Sequence, residues 1–171
     1  MGGFAILIAI DPGTAETAYV VLDWNYKIYE FAKVKNEELL QKLKKETYDA
    51  FVAEMISSYG MAVGREVFDT CVWIGRFWET ARAKTKAYIY RREEKMNLCG
   101  SMRAKDANIR MALIDRFAKF DFKNGKGTKK EPDIFYDFRA DIWAAMAVGV
   151  TYLDKKYGEM RGKGGEERLE M

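Results

Sequence analysis

Residues 4–14, with the sequence FAILIAIDPGT, decide the fold. The unbroken apolar run from Phe4 to Ile10 predicts a strand that is buried on both faces of a sheet, and the Asp-Pro-Gly behind it predicts a tight turn. Asp11 therefore lies where a buried strand ends. Its carboxylate could bind a cation, or it could belong to an ordinary turn, in which Asp before Pro-Gly is common.

The segments that follow predict the rest of an antiparallel meander. Residues 18–22 indicate a second strand, residues 23–26 a turn, and residues 27–33 alternate as a third strand does. Asn36 is the expected N-cap of a helix that continues to about Lys45, with acidic residues first and lysines last, as the helix dipole prefers.

The remainder of the chain predicts further strands and helices. The expected elements are a strand over 48–53 that ends at Glu54, a helix over 65–83, a strand over 87–90, and helices over 101–117 and 140–153. A basic loop over 123–132 separates the last two helices. This order predicts an α/β fold, a mixed five-stranded sheet with antiparallel first three strands and helices on both faces.

With 171 residues, the chain suits one domain with a buried core. Residues 1–157 are the expected domain, and residues 158–171, rich in Gly, Lys and Glu, predict a disordered tail. No apolar run approaches the ~20 residues of a membrane span, and the N-terminus lacks the features of a signal peptide. A cytoplasmic location is expected, in which Cys71 and Cys99 would be reduced thiols.

Histidine is absent from the sequence, which excludes His-based nucleophilic triads, His-ligated zinc and His general bases. The net charge is +3, and its distribution is uneven. Residues 82–95 carry six basic and two acidic side chains, and residues 123–130 carry four lysines and no acid. Basic patches beside acidic motifs suit a protein that holds a polyanion and binds metal ions, although charge runs are also common on solvated surfaces.

Four carboxylates lie at the ends of predicted elements. Asp11 and Glu54 each close a strand, and Asp137 and Asp141 are four residues apart at the start of the last helix. Each has an ordinary alternative: a turn, a solvent-exposed strand end, or compensation of the helix dipole. In a sheet of this order, however, such ends can converge, and carboxylate oxygens on rigid ends are ligands that Mg²⁺ requires.

Several segments, in this order, match a known pattern of motifs. They are residues 8–13 (IAIDPG) with 18–22 (AYVVL), 51–54 (FVAE), 101–106 (SMRAKD) and 141–148 (DIWAAMAV). This arrangement resembles the RuvC Holliday-junction resolvases of the RNase H-like superfamily, and the correspondence extends from about Phe4 to Leu153. The compact form is most similar to the versions carried by bacteriophages.

The resemblance implies a Mg²⁺-dependent endodeoxyribonuclease, with Mn²⁺ as an alternative ion, that resolves Holliday junctions or related branched DNA in recombination and repair. Asp11, Glu54 and Asp141 would hold two metal ions. Lys105 would offset the charge that develops at the scissile phosphate. The expected phosphate contacts are Arg82, Lys84, Lys86, Arg91, Arg92 and Lys95.

A homodimer is also implied, because a four-way junction has two symmetric strands to cut. The helix around residues 67–78 is its expected contact. The family places an aromatic wedge near Tyr59-Gly60-Met61, which makes Tyr59 a candidate DNA contact.

The last motif departs from the family, which usually has two Asp residues three positions apart. Phe138 and Ala144 occupy the positions three before and three after Asp141. Either three carboxylates suffice, or Asp137 supplies the fourth metal ligand.

Other functions remain open. A catalytically inactive module that binds branched DNA would account for the missing fourth carboxylate, and a nuclease that acts on forks or flaps would keep the chemistry. An ATPase of RNase H-like fold is less favoured. Residues 11–14 (DPGT) resemble the phosphate loop of such proteins, but those chains generally need two such domains, for which 171 residues leave no room.

Overall fold

The computed structural model describes residues 6–169, which are built around a five-stranded sheet. The strands are β1 (Ile6–Asp11), β2 (Glu16–Asp23), β3 (Ile28–Lys35), β4 (Thr47–Met55) and β5 (Arg82–Tyr90), in the spatial order β3-β2-β1-β4-β5. β2 is antiparallel to both β1 and β3, whereas β4 is parallel to both β1 and β5. The predicted mixed sheet with antiparallel first three strands is confirmed.

The helices cover both faces of this sheet. They are α1 (Asn36–Lys45), α2 (Arg65–Thr80), α3 (Arg91–Cys99), α4 (Asp106–Phe117) and α5 (Ala140–Leu169). Successive side chains of a strand point to opposite faces. Leu7 and Ala9 of β1 accordingly join one core with α4 and α5, and Ile8 and Ile10 join a second core with α1 and α2. Two cores explain why β1 has no polar alternation.

Helix α5 lies very close to the sheet at Gly149. A Cβ atom at this position would lie 2.7 Å from Leu22 Cδ1 and 3.2 Å from the Cβ atom of Ala9. Glycine therefore lets the helix axis approach β1 and β2, and this contact fixes how the start of α5 lies relative to the strand ends. Within the described range, no helix is long and apolar enough to cross a membrane.

Helix α3 is an element that the sequence analysis did not predict. Its residues are mostly charged, so they give no apolar period, but they favour helix by propensity. The Glu93 side chain accepts a hydrogen bond from the Tyr90 backbone N–H at 2.8 Å, and Gly100 ends the helix at φ +66°. These two ends are typical of a stable helix.

Two helix starts differ from the prediction. Asn36 is the first residue of α1, after Lys35, and is fully buried instead of acting as the N-cap. Helix α4 begins at Asp106 and not at Ser101. The Ser101 hydroxyl accepts a hydrogen bond from the Arg103 N–H and so belongs to the turn before the helix.

Helix α5 also continues to Leu169, through a segment that the sequence analysis assigned to a disordered tail. Near the start of this extension, Lys156 and Glu159 pair one turn apart at 3.2 Å. Gly158 and Gly162 lie within this part of the helix, at a cost of about 1 kcal/mol each. Residues 170 and 171 lie outside the described part of the chain.

Candidate active site

Two acidic residues lie side by side at the carboxyl ends of neighbouring parallel strands. Ile10 of β1 pairs with Ala53 of β4, so Asp11 and Glu54 follow at the same edge of the sheet. Their side chains point to the face covered by α5, since alternate residues Ala9 and Val52 belong to that core. The strand topology alone thus places two carboxylates next to each other.

The turn after Asp11 is held by buried hydrogen bonds. The Thr17 hydroxyl donates to Asn36 Oδ1 at 2.7 Å, and Asn36 Nδ2 donates to the carbonyl oxygen of Gly13 at 2.9 Å. Gly13 is required because a Cβ atom would lie 2.4 Å from the Glu16 carbonyl oxygen. This network fixes the chain that leaves the strand and therefore the position of Asp11.

Asp141 joins these two residues from the first turn of α5. A cavity of about 260 Å³ lies between the strand ends, α3, α4 and α5. Its walls are formed by Asp11, Glu54, Arg91, Asp106, Ile109, Arg110, Ala140, Asp141, Trp143 and Ala144. The structure therefore brings together the three carboxylates that the sequence analysis selected from distant parts of the chain.

A further carboxylate, Glu94, is buried beside this cavity on α3. It is fully shielded from solvent and forms an ion pair with Arg91 at 3.3 Å. Its carboxyl group lies near that of Glu54, and burial, followed by the charge of Glu54, raises the pKa of Glu94. Its Oε2 atom has no hydrogen-bond partner among residues 6–169.

The electrostatics of the site disfavour charge on these acids. Burial, followed by the neighbouring charges of Glu54 and Asp141, raises the pKa of Asp11 to about 8, against the opposing effect of Arg91. Burial also raises the pKa of Glu54 and of Glu94 above their usual range. Perturbed carboxylates clustered in a cavity are a frequent property of functional sites.

Two basic side chains partly neutralise the cluster. Arg91 forms ion pairs with Glu94 and, on the other side, with Asp106. Lys33 of β3 forms an ion pair with Asp141, in which both side chains are 44% exposed. The ion pair with Asp141 raises the pKa of Lys33, although burial opposes this shift. A polyanionic ligand would compete with the acids for these two basic side chains. Its counterions would compete with the basic side chains for the acids.

The acids fit divalent metal ions by their chemistry more than by their present geometry. Throughout the described part of the chain, no three Asp, Glu, Cys or His side chains converge on a common point as a bound metal requires. The set consists of hard oxygen donors on rigid element ends, of the type that Mg²⁺ uses. The unpartnered oxygen of Glu94 and the raised pKa of its neighbours indicate that the buried negative charge is incompletely balanced.

Asp137 was expected as a fourth metal ligand, but the structure does not bring it to the cavity. It precedes α5 in a turn, with φ +65°, so the four-residue spacing to Asp141 does not place both on one helical face. Its side chain is 64% exposed and lies 3.9 Å from Arg139. Lys105, the expected catalytic lysine, is an exposed residue directly before α4, adjacent in sequence to Asp106 of the cavity wall.

The basic residues of the predicted DNA-binding segment do not share one surface. Arg82, Lys84 and Lys86 point to the face of the sheet opposite Glu54, as Lys84 pairs with Asp49 at 3.3 Å and Lys86 bonds to the Trp78 carbonyl oxygen. Arg82 also lies at the start of β5, roughly 26 Å along the strand from the end that faces the cavity. The structure therefore separates these three from the acidic cluster.

The remaining residues of that segment are closer to the site. Arg91 lines the cavity, but as an ion-pair partner of acids. Arg92 is exposed and lines a groove with Ser57, Tyr59 and Tyr90, while Lys95 is half-buried on α3. Tyr59 is 60% exposed at the tip of the β4–α2 loop, with φ +51°.

A second groove continues from the cavity towards the lysine-rich loop between α4 and α5. Arg110 and Trp143 line both the cavity and this groove, which also contains Lys123, Lys126 and Met111. Sequence reasoning did not select Arg110, Trp143, Lys33 or Glu94. Trp143 has the spacing of a core residue, and the other three look like ordinary surface charges in sequence.

Comparison with solved structures supports the same fold. Thermus thermophilus RuvC has a TM-score of 0.65 with this chain, at 13% sequence identity, over 90% of this chain and 96% of that one. T. thermophilus RuvC in complex with Holliday junction substrate has a TM-score of 0.64 at 15% identity, with the same coverage. No family model and no curated protein matches the sequence. The chain has a RuvC-like fold, which confirms the fold that the resemblance of the motifs implied.

Proposed function

We propose that this chain is a metal-dependent, structure-selective DNA endonuclease that hydrolyses phosphodiester bonds in Holliday junctions or related branched DNA. The observation that carries this proposal is the meeting of Asp11, Glu54 and Asp141 in one cavity of a RuvC-like fold. One of the similar solved structures is a complex with Holliday junction substrate, which supports the choice of branched DNA.

Asp11, Glu54 and Asp141 would hold two Mg²⁺ or Mn²⁺ ions. Such ions, when bound, neutralise charge at the scissile phosphate and lower the pKa of an attacking water. Burial of Asp11 and Glu54 limits their solvation by bulk water, which increases their attraction for cations. Lys105, directly before α4, would approach the phosphate from the outer side and offset its developing charge.

The DNA path proposed here follows the exposed cations nearest the cavity. Arg92 and Tyr59 line the groove on one side, and Arg110 leads to Lys123 and Lys126 on another. Contacts of this type bind the phosphate backbone and carry little sequence information. Arg82, Lys84 and Lys86 would lie outside this path and serve at most a distant DNA arm.

A homodimer is part of the proposal because two symmetric strands of a junction must be cut. Phe68 and Val72, one turn apart on α2, are 60% and 63% exposed. Apolar side chains exposed at this spacing are typical of a helix that pairs with a second copy. Sedimentation of the wild type and of Phe68→Glu would test this part separately from catalysis.

The inactive DNA-binding module is the second candidate, and one observation favours it. The acids do not converge on a single point in any part of the chain that the structure describes. A module of this type would bind a junction without cutting it in any divalent metal.

The decisive experiment compares a synthetic four-way junction, a fork and a linear duplex in Mg²⁺, Mn²⁺ and EDTA. We expect metal-dependent cutting of the junction or fork, absent in Asp11→Asn and retained in Asp137→Asn, the matched control outside the cavity. Binding without product in every metal would overturn the nuclease and favour the module. Equal cutting of linear duplex would overturn structure selectivity.

A further inference from the structure

Glu94 is the buried acid that the family pattern does not provide. It comes from α3, between β5 and α4, whereas the family's fourth carboxylate belongs to the last helix. The helix places Glu94 one turn after Arg91, so that the two side chains pair at 3.3 Å. The opposite face of α3 carries Arg92, which is exposed.

The charge around Glu94 is not balanced. Glu94, Glu54 and Asp11 are buried close to one another, and Arg91 is the cation that acts on all three. The same guanidinium is also paired with Asp106. One positive charge thus faces four acids, and a divalent cation would reduce the excess of negative charge.

The hydrogen bonding of Glu94 differs from that expected of a buried carboxylate with a purely structural role. A buried carboxylate that serves only the fold normally receives donors on both oxygens, because an unpaired one costs several kcal/mol of desolvation. Glu94 Oε2 has no donor among residues 6–169 and the side chain has no access to solvent. An oxygen left free next to a metal-binding carboxylate is available to a cation.

We propose that Glu94 is the fourth carboxylate of the metal site, supplied by α3 in place of the acid missing from the last helix. This inference rests on the proposed function, since it assumes that Asp11, Glu54 and Asp141 bind divalent metal. Glu94 is paired with Arg91 and does not itself line the cavity. Metal entry would draw the Glu94 carboxylate towards Glu54 and leave Arg91 to Asp106.

The test is calorimetric titration with Mn²⁺ and with Mg²⁺, together with thermal unfolding with and without the metal, for the wild type and three variants. Glu94→Gln keeps the shape of the side chain, and we expect it to weaken metal binding by about tenfold or more and to reduce the metal-induced rise in Tm. Asp137→Asn should match the wild type. Asp11→Asn should lose most of the binding.

The outcomes separate the two proposals. Wild-type affinity in Glu94→Gln, with binding lost in Asp11→Asn, would overturn the role of Glu94 and leave the metal site in place. Unchanged binding in Asp11→Asn, or no binding by the wild type, would overturn the proposed function as well. If Glu94→Gln does not fold, Glu94→Asp retains the charge and shortens the side chain by one methylene group. Wild-type affinity in that variant would count against the proposal.

Discussion

Two of the centres in which this molecule buries carboxylates surround them differently. Asp133, in the loop between α4 and α5, is 5% exposed and accepts hydrogen bonds from the backbone N–H groups of Lys119, Phe120, Asp121 and Ile134, at 2.7–3.1 Å. Burial raises its pKa, but these backbone hydrogen bonds outweigh burial and hold the pKa well below its usual range.

The cavity acids are the opposite case. Asp11, Glu54 and Glu94 are buried close to one another, Arg91 is the guanidinium whose charge acts on all three, and their pKa values are raised. The fold therefore supplies donors to the acid that organises a loop and withholds them from the acids of the cavity. This contrast indicates that a bound ligand supplies the interactions that the cavity acids lack within the protein.

The largest effect is expected for Glu54→Gln. Loss of one metal ligand should slow cleavage of a four-way junction by roughly 10³-fold, or about 4 kcal/mol. Binding to the junction should remain or become tighter, because a negative charge near the phosphate is removed. Single-turnover cleavage and fluorescence anisotropy measure the two quantities. A retained rate would show that Glu54 is merely the end of a strand.

Asp133→Ala tests the other centre. It leaves several backbone N–H groups without their acceptor, and the free energy of unfolding in urea should fall by about 3 kcal/mol. Glu131→Ala, at an exposed acid in the same loop, is the control and should change it by less than about 0.5 kcal/mol. If both variants lower the free energy of unfolding by a similarly small amount, the backbone hydrogen bonds of Asp133 do not stabilise the fold as inferred.

The pH dependence of stability should have opposite signs at the two centres. Asp133 has a lowered pKa, so its stabilising contribution is present above the unfolded-state pKa of about 4 and is lost as the pH falls below it. Asp11 has a pKa raised to about 8, so in EDTA the folded state loses stability as the pH rises from about 4 to 8.

Urea unfolding in EDTA at several pH values between 5 and 8 checks this contrast. Asp11→Asn should flatten the decline that the wild type shows over this interval, whereas Asp133→Asn should leave the decline in place and lower the whole curve. A wild type whose stability is flat in EDTA would contradict the charge imbalance inferred for the cavity.

The smallest effect is expected for Lys33→Gln. The ion pair between Lys33 and Asp141 is well exposed, so the free energy of unfolding should change by less than about 1 kcal/mol. Removing a competing cation should tighten Mn²⁺ binding by a few fold, measured by calorimetry. Weaker binding would mean that Lys33 supports the site instead of occupying part of it.

The sheet and the three acids Asp11, Glu54 and Asp141 could be predicted because short local patterns in the sequence indicate them. The apolar run of β1 requires burial on both faces, and an acid directly behind such a run, as at Asp11, must lie at the strand end. Glu54 follows β4 in the same way. Asp141 opens an apolar helix that has to cover this sheet.

Other features of the site could not be predicted, because they depend on tertiary contacts that no local sequence pattern indicates. Glu94 looks like one acid in a charged helix, and its burial depends on how α3 packs against β5, α4 and α5. The pairing of Asp137 with Asp141 failed since α5 begins only at Ala140, so the helical spacing does not apply. Arg82, Lys84 and Lys86 were grouped with Arg92 by sequence, but the alternation and length of β5 separate them.

At Gly149, helix α5 packs closely against the sheet. This glycine has no reactive group, but the packing there affects the position of the acidic residue at the start of the helix. Asp141 lies eight residues upstream, about 12 Å along the same rigid helix. A methyl group at Gly149 would press on the Cβ atom of Ala9, which has no rotamer with which to withdraw. A larger residue at this position would have to tilt the helix, and it would thereby move the Asp141 carboxylate without changing any residue that lines the cavity.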